Sequence, residues 1–500
     1  MLLLVCLVTG VFFVKGIVLL DPDFGWHLKM GELITSTGGV PATDPFSYTM
    51  SSFPFIDHEW LTNVTLSKLY FRLGNIGLSA VSSLLALSAL AISVANPLSR
   101  KAPAKGLNFA RKAAIPFLLG AATLLLYSGV RPQVLSWFLF AILLWIVFNR
   151  EIWRRWRSFL PILYVVWVNL HGSFSAGLAS LYLVLVLRAI RVRRVDIKDL
   201  IVGLLSLLAT FVNPYGPRIW HEVWLQVSDT SLRWTIVEWM PALLSFSVSL
   251  AVLIPLSLLF LAKYRKKFYL EEKGLYLVFL IQGLASTRHI PLWVMVALPV
   301  LSLCLEYFYK ELEKIPYGTV RFSKTYKFAI LGCLGIFVFQ STLSLNGSRL
   351  QVEEAFYPSK AVSYIRQQLP AGQIFSSYGW GGYLIWKLPE KKVFIDGRMP
   401  SWRWEANLPQ ESNYAMKDYQ NLLSGKVSSK EVFEKYGIST VLWPRPMDVG
   451  FLDYLDDKMD QFLSRFGKKR HDFNLYKELE RNGWSRVYED SVSVIYQKRK

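Results

Sequence analysis

Two carboxylates, Asp21 and Asp23, follow directly on a long apolar run in the sequence LLDPDFGWHLKMGELI at residues 19–34. A carboxylate in a polar cleft can take a proton from a reacting hydroxyl, and neighbouring carboxylates can hold a divalent metal ion. Asp23 also has a simpler interpretation, because an Asp ahead of an amphipathic segment is typical of a helix N-cap. Asp21 has no such capping role, so it is the stronger candidate for a general base.

The same loop carries further groups that could bind a substrate or a metal. A short helix is predicted over 24–35, with His27 one turn after Asp23, and the Gly38-Gly39 pair ends it. Carboxylate and imidazole groups are ligands of Mg²⁺, Mn²⁺ and Zn²⁺. The binding candidates are His27, Asp44, His58 and Glu59. The candidate metal set is Asp21, Asp23, His58 and Glu59, and linear spacing alone leaves metal dependence open.

Two arginines border apolar runs, where a cation needs a partner. Arg131 precedes Pro132, and Arg288 is followed by His289. The guanidinium fork matches phosphate and carboxylate, so Arg131, Arg288 and His289 are candidates for binding an anionic headgroup. The alternative is that both arginines extend toward lipid headgroups at the membrane surface.

Other polar residues are predicted to support such a site. Glu238 stands among apolar neighbours and could pair with Arg218 or Arg288. Asn169 and His171 lie where two apolar runs nearly meet, which is also the pattern of a plain helical hairpin.

Apolar runs of about 17–25 residues predict the elements that position these groups, since this is the length that spans hydrocarbon. The 500-residue chain is 53% hydrophobic. We predict a polytopic α-helical membrane protein with about eleven transmembrane helices. The net charge of +20 comes largely from short loops, where Lys and Arg are a topology signal, so nucleic-acid binding is excluded.

The basic loops predict an orientation. They fall on one side of the membrane, which the positive-inside rule makes cytoplasmic. The N-terminus is then cytoplasmic, and the polar loops face the outside of an integral plasma-membrane protein. Those outer loops hold five of the six histidines, and such a concentration on one face predicts a shared polar site.

A separate domain is predicted over residues 346–500, after a transmembrane domain over 1–345 that includes the first outer loop, 21–60. Strand-like segments at 373–377, 392–395, 439–443 and 491–497 alternate with helical segments at 359–368, 430–436 and 473–481. This alternation predicts an extracytoplasmic α/β domain. No phosphate-binding glycine loop is present in a strand–helix context, which argues against a nucleotide-driven pump.

A set of short motifs resembles the integral-membrane glycosyltransferases of the GT-C superfamily. The resemblance is to RgtA/B/C/D-like and dolichyl-phosphate-mannose mannosyltransferase-like proteins, and it covers about two-thirds of the chain. The motifs that carry it are Asp21-Pro-Asp23, Trp26-His27, Asp44-Pro-Phe-Ser-Tyr48, His58-Glu-Trp-Leu61, Arg131-Pro-Gln133, Asn169-Leu-His171-Gly172 and Arg288.

The resemblance implies a sugar donor linked to polyprenyl phosphate and a glycan, lipid or protein acceptor at the outer face. Asp21 and Asp23 match the acidic positions of the family's first outer loop, which activate the acceptor or hold a metal. Arg131 and Arg288 suit the donor phosphate. Two other functions stay open: a transporter or flippase of lipid-linked glycans, and a non-catalytic membrane protein that binds envelope glycan.

Overall fold

The structure is a computed structural model that describes residues 2–96, 98, 107–228, 237–242, 247–312, 314–315, 318–349, 352–402, 414–445 and 474–498. These residues form two compact units. One, here called the helical unit, comprises Met1–Asp21 and Asp57–Arg349. The other, called the α/β unit, comprises Pro22–Ile56 and Leu350–Lys500.

The α-helices are numbered along the whole chain. The first ten are α1 (Leu2–Val18), α2 (Phe24–Thr37), α3 (Trp60–Ala95), α4 (Leu107–Leu125), α5 (Gln133–Phe148), α6 (Arg150–Trp156), α7 (Leu160–Leu170), α8 (Phe174–Val192), α9 (Ile197–Ala209) and α10 (Arg218–Ser228). The helical unit continues with α11 (Val248–Lys263), α12 (Leu270–Ala285), α13 (Ile290–Leu312) and α14 (Gly318–Arg349).

Helix α2 belongs to the α/β unit, together with six further helices and four strands. The helices are α15 (Glu353–Phe356), α16 (Ser359–Gln368), α17 (Gly381–Lys387), α18 (Tyr414–Leu423), α19 (Ser429–Tyr436) and α20 (Leu475–Arg481). The strands are β1 (Gln373–Ser376), β2 (Ile438–Pro444), β3 (Trp484–Glu489) and β4 (Ser493–Lys498).

Long apolar helices dominate the helical unit. Within the described residues, four helices are long and apolar enough to cross a membrane: Trp60–Ala95, Phe174–Val192, Thr287–Leu312 and Lys324–Ser348. A fifth span results if α5 is joined with Arg150–Leu170 across a bend of 106°. These helices agree with the predicted membrane protein, while the predicted count of about eleven spans is not confirmed. The remaining apolar helices are shorter, among them α1 and α11.

Lys15 lies in the apolar helix α1 and is buried at 3% exposure. Its ammonium group donates to the backbone carbonyl of Leu125 and, at 3.1 Å, to that of Leu126. Leu125 ends α4 and its carbonyl also accepts from the Ser128 hydroxyl at 2.9 Å, while Leu126 follows directly after the helix. Because unpaired backbone groups are costly away from water, Lys15 caps α4 from a neighbouring helix.

We expect Lys15→Met to destabilise the helical unit by about 1–3 kcal/mol, since it leaves these carbonyls without a charged donor. Thermal unfolding of the purified protein in detergent measures the change. Lys310→Met is the matched control, because Lys310 is exposed and only pairs with Glu306 one turn away; it should cost less than about 1 kcal/mol. Equal losses in the two variants would contradict the capping role.

The α/β unit is built on a four-stranded sheet of order β1-β2-β4-β3. β1 pairs with β2 in parallel, and the other two pairings are antiparallel. The predicted α/β domain is thus confirmed. The strand predicted at 392–395 is wrong, because that segment forms only an isolated bridge between Ser47 and Val393.

The sequence analysis assigned the first outer loop to the transmembrane domain, but the structure places most of this loop in the α/β unit. Residues Pro22–Ile56 form one compact unit with the C-terminal residues. Side chains of the loop reach into the sheet region: the Tyr48 hydroxyl donates to the Ile374 carbonyl at 2.9 Å, and Thr49 donates to the Phe394 carbonyl at 2.6 Å. A chain-order pattern does not reveal such long-range pairing.

A buried ion cluster joins the two segments of the α/β unit. Arg398 makes two hydrogen bonds to Asp396, at 2.7 and 2.6 Å, and lies 2.8 Å from Asp44 Oδ1. Burial alone would lower the pKa of Arg398, but the charges of Asp396 and Asp44 outweigh it and raise the pKa. The guanidinium therefore stays charged and ties the loop to the C-terminal segment.

Candidate active site

Asp21, Arg131 and Glu238 form an ion cluster at the helix ends of the helical unit. Arg131 Nε pairs with Asp21 Oδ2, and Arg131 Nη1 lies 2.9 Å from Glu238 Oε1. Arg131 stands just before α5, so the N-terminal end of that helix fixes its position. The partner predicted for Glu238 was Arg218 or Arg288, and the structure assigns it Arg131 instead.

A cavity of about 110 Å³ opens in the same unit. Its walls come from the start of α3, the start of α5, the turn between α7 and α8, helix α10, and the segments around 239 and 288. The polar residues that line it are His58, Gln133, Ser136, His171, Ser173, Ser175, Glu222, Gln226, Arg288 and His289. Six separate segments of the chain thus line one cavity, and the first outer loop contributes His58, two residues before α3.

At two places in the sequence, a residue of the ion cluster lies within two positions of a residue that lines the cavity. Gln133 lines the cavity and lies two residues after Arg131, while Trp239 lines it and directly follows Glu238. Asp21 and Arg131 themselves are not among the lining residues. The same two segments of the chain therefore position residues of both the ion cluster and the cavity.

Two histidines of the cavity share one carboxylate. His171 Nε2 lies 3.1 Å from Glu59 Oε1, and His58 Nε2 lies 3.7 Å from the same oxygen. The Ser173 backbone N–H donates to His171 Nδ1 at 3.1 Å, so the proton of a neutral His171 is on Nε2, facing Glu59. A Cβ at Gly172 would lie 2.9 Å from His58 Cδ2, so glycine lets the His58 ring lie against this turn.

Asn169 and Asp57 have structural roles around this pair. Asn169 Oδ1 accepts the Trp60 indole N–H at 2.8 Å, and its amide donates to the carbonyls of Val165 and Val212. Asp57 accepts from the Glu59 backbone N–H at 3.1 Å and from Asn63 at 2.8 Å. These contacts hold the start of α3 against α7 and thereby position His58 and Glu59.

Arg288 is the half-buried cation of the cavity. Its guanidinium lies 5.3 Å from the centre of the Trp239 ring, and the same ring meets His289 edge-on at 6.1 Å. The short 3₁₀ turn Thr287–His289 connects α12 to α13 and presents both side chains. Among the described residues Arg288 forms no ion pair with a carboxylate, so its donors can meet an anionic ligand.

Glu222 and Gln226 are cavity residues that sequence reasoning missed. Glu222 accepts a hydrogen bond from the Gln226 amide at 2.9 Å, one turn further along α10. Burial raises the pKa of Glu222, and the hydrogen bond from Gln226 opposes the shift. The available signal was a polar pair on the otherwise apolar face of a short amphipathic helix.

Asp23, His27 and Asp44 belong to the α/β unit rather than to the helical unit. Asp23 precedes α2 as predicted, but its side chain makes no capping hydrogen bond, so the predicted capping contact is wrong. Its carboxylate accepts the Trp26 indole N–H at 3.0 Å instead.

His27 is buried in α2. Asp44 accepts from the backbone N–H groups of Phe46 and Ser47, and it also binds Arg398. The predicted end of α2 is confirmed, because Gly38 adopts a left-handed conformation.

Gly397 is the neighbour that fixes the place of Asp23. A Cβ at position 397 would lie 1.9 Å from Asp23 Oδ1. We expect Gly397→Ala to destabilise the α/β unit by about 1–3 kcal/mol, since either the carboxylate or the backbone has to move. Limited proteolysis and thermal unfolding of the full chain measure this. Gly39→Ala, where nothing lies within 4 Å of the added atom, should leave the unfolding temperature unchanged. Equal behaviour of the two alanine variants would contradict the packing.

The side chains in the candidate metal set are not arranged as a ligand cluster. Within the part of the chain that the structure describes, no group of three or more His, Cys, Asp or Glu side chains is placed to hold a metal ion. Glu59 lies beside His58 and His171, whereas Asp21 lies beside Arg131. A guanidinium next to Asp21 disfavours a cation at the same oxygen.

Comparison with solved structures identifies a similar fold. The chain resembles the crystal structure of the Archaeoglobus fulgidus oligosaccharyltransferase in the apo form, with a TM-score of 0.59 and 12% sequence identity. The match covers 88% of this chain and 69% of that chain. No family model and no curated protein matches the sequence. At this identity the likeness is one of fold, and it agrees with the GT-C-like fold that the sequence resemblance implied.

Proposed function

We propose that the chain is a membrane glycosyltransferase that moves a sugar from a polyprenyl-phosphate donor to a glycan, lipid or protein acceptor at the outer membrane face. The observation that carries the proposal is the cavity that groups Arg288, His289, His58 and His171 at the helix ends of an apolar unit. Ionisable residues are costly in such a unit and usually serve a substrate. The likeness to an oligosaccharyltransferase supports glycosyl transfer in general.

Each part of the reaction has a matching group. Asp21 pairs with Arg131, two residues before the cavity residue Gln133, and is proposed to take the proton of the acceptor hydroxyl while the oxygen attacks the anomeric carbon of the sugar. The bond between that carbon and the phosphate oxygen breaks, and its electron pair goes to the leaving phosphate. Arg288 then stabilises the additional negative charge, with His289 beside it. A lipid-linked donor also explains why a nucleotide-binding motif is not needed.

His58 and His171 are proposed to orient the substrate in this scheme. His171 Nδ1 accepts from the Ser173 backbone N–H, and its Nε2 lies 3.1 Å from Glu59 Oε1. Both histidines line the cavity, and His58 is proposed to direct a nitrogen toward a sugar hydroxyl. Asp23 is not needed for this scheme, since its carboxylate has a packing role in the α/β unit.

A transfer assay with the purified full chain tests the proposal. The protein is incubated with a panel of radiolabelled polyprenyl-phosphate sugars and membrane acceptors, and covalent incorporation of label is measured. We expect at least one donor to label an acceptor and to release polyprenyl phosphate. A folded protein that transfers no sugar from any donor, in the presence of membrane acceptors, would overturn the proposal.

A further inference from the structure

Helix α10 presents one continuous face to the cavity. The residues that line it from this helix are spaced by three and four positions, as one face of an α-helix requires: Ile219, Glu222, Val223, Gln226 and Val227. An ordinary core-facing helix would have apolar residues at all of these positions. In α10, Glu222 and Gln226 occupy two of these positions, so the middle part of the face that lines the cavity is polar.

The position of α10 is set by contacts at its first turn. Ile219 is buried at 1% exposure. The Trp220 indole N–H donates to the Thr210 hydroxyl at 2.9 Å, and its ring meets Phe174 edge-on at 5.3 Å. These contacts fix the orientation of α10. Glu222 and Gln226 follow one and two turns later and line the cavity.

The cavity lining contains two kinds of chemistry. Arg288 and His289 offer cationic hydrogen-bond donors, which suit a phosphate. Glu222 and Gln226 together offer donors and acceptors without a positive charge, which suit hydroxyl groups. The Trp137 and Trp239 rings add flat apolar surface to the same cavity. A ligand with a phosphate at one end and a hydroxyl-bearing ring at the other satisfies both kinds.

We propose that α10 is the sugar-recognition wall of the cavity. Glu222 and Gln226 hydrogen-bond the hydroxyls of a hexose ring whose phosphate lies at Arg288. This inference deepens the proposed function and rests on it for the identity of the ligand. Glu222 is then a residue for substrate specificity, and the leaving phosphate and the reacting acceptor are bound by other groups.

The ionisation of Glu222 agrees with this assignment. Burial raises the pKa of its carboxyl, which favours the neutral form. An ionised Glu222 would repel a phosphate in the same cavity, whereas the neutral acid can donate to a hydroxyl. The titratable and charged groups that line the cavity with it are His58, His171, Arg288 and His289. Because the folded-state pKa is raised, the neutral acid persists at lower pH and is lost as pH rises through that pKa.

Binding of small soluble probes tests the proposal separately from catalysis. Hexose 1-phosphates of the gluco, galacto and manno series and inorganic phosphate are titrated into the purified full chain, and tryptophan fluorescence or calorimetry gives each Kd. We expect Glu222→Ala to weaken hexose 1-phosphate binding about tenfold or more, since a hydrogen-bond partner of the sugar is lost. Inorganic phosphate binding should change less than about threefold. His221→Gln, an exposed position on the same helix, is the control and should change neither.

The Glu222→Gln variant separates a neutral hydrogen-bonding role from a charged one. An amide donates and accepts as a carboxylic acid does, so hexose 1-phosphate should bind within about threefold of wild type. Wild-type binding should weaken as pH rises through the raised pKa, and Glu222→Gln should lack this alkaline loss. Equal weakening of both probes by Glu222→Ala, or no hexose 1-phosphate binding by the folded wild type, would overturn the proposal. Intact sugar-phosphate binding without sugar transfer would instead reject the proposed function.

Discussion

Asp21→Asn should lower the rate of sugar transfer by about 10²–10⁴-fold, the usual contribution of a positioned general base. Asparagine keeps the shape of the side chain but cannot accept the acceptor proton. Arg131 keeps its contact with Glu238 at 2.9 Å in this variant, so the helical unit should still fold. Initial transfer rates with the best donor of the panel, together with the unfolding temperature, measure the two effects.

Glu238→Gln is the matched control, because it removes the other carboxylate that Arg131 binds. Glu238 is the more exposed of the two, at 40% against 10% for the Asp21 side chain. A solvent-exposed ion pair contributes at most about 1 kcal/mol, so this variant should lose less than about tenfold in rate. Similar losses in both variants would show that Asp21 only neutralises Arg131, and the general-base assignment would be wrong.

Arg288→Gln should lower the rate of sugar transfer by about 10²–10³-fold, as expected when one charge-stabilising donor of a transition state is removed. The loss should appear mainly in kcat, because the charge on the phosphate oxygen increases as the bond to the sugar breaks. Steady-state kinetics over a range of donor concentrations separate kcat from KM.

Arg288→Lys sharpens this prediction. Lysine keeps the positive charge but loses the planar fork, so an intermediate rate is expected if the guanidinium holds a phosphate through two hydrogen bonds. Arg218→Gln serves as the control, since Arg218 is exposed and does not line the cavity. Full activity in Arg288→Gln, or an equal loss in Arg218→Gln, would contradict the phosphate-binding role.

Hydrophobic runs and alternating strand-like and helical segments were sufficient to predict a membrane protein with a C-terminal α/β region, whereas the GT-C-like fold was expected only from the resemblance of short motifs to a known family. The sequence also predicted that the outer loops share a polar site, and residues of those loops such as His171 and Arg288 line one cavity. Helix α2 and its end at Gly38 followed from local rules, since a left-handed glycine after the last turn depends only on nearby residues.

Long-range contacts account for what the sequence could not predict. The partner of Arg131 in the helical unit is more than a hundred residues away at Glu238, and the partner of Arg398 lies in the first outer loop at Asp44. The inclusion of residues 22–56 in the α/β unit depends on such pairings. Local propensity is also ambiguous at 392–395, where an apolar segment forms a single bridge rather than a strand.

Some single residues were misjudged for a related reason. Asp23 fits the N-cap pattern, but the Trp26 indole competes successfully for its carboxylate. Glu222 was not singled out from the sequence, because only the three-dimensional structure shows that its face lines the cavity. Lys15 had no explanation in the sequence, and the carbonyls at the end of α4 supply one.

Sugar transfer in proteoliposomes tests the central claim most directly. The purified protein is reconstituted with a radiolabelled polyprenyl-phosphate sugar and membrane acceptors, and covalent label on the acceptor is measured beside leaflet exchange of the donor. Wild type should form labelled acceptor and free polyprenyl phosphate, whereas Asp21→Asn should form neither at a comparable rate. Leaflet exchange of an intact donor without any labelled acceptor would contradict the transferase and identify a transporter instead.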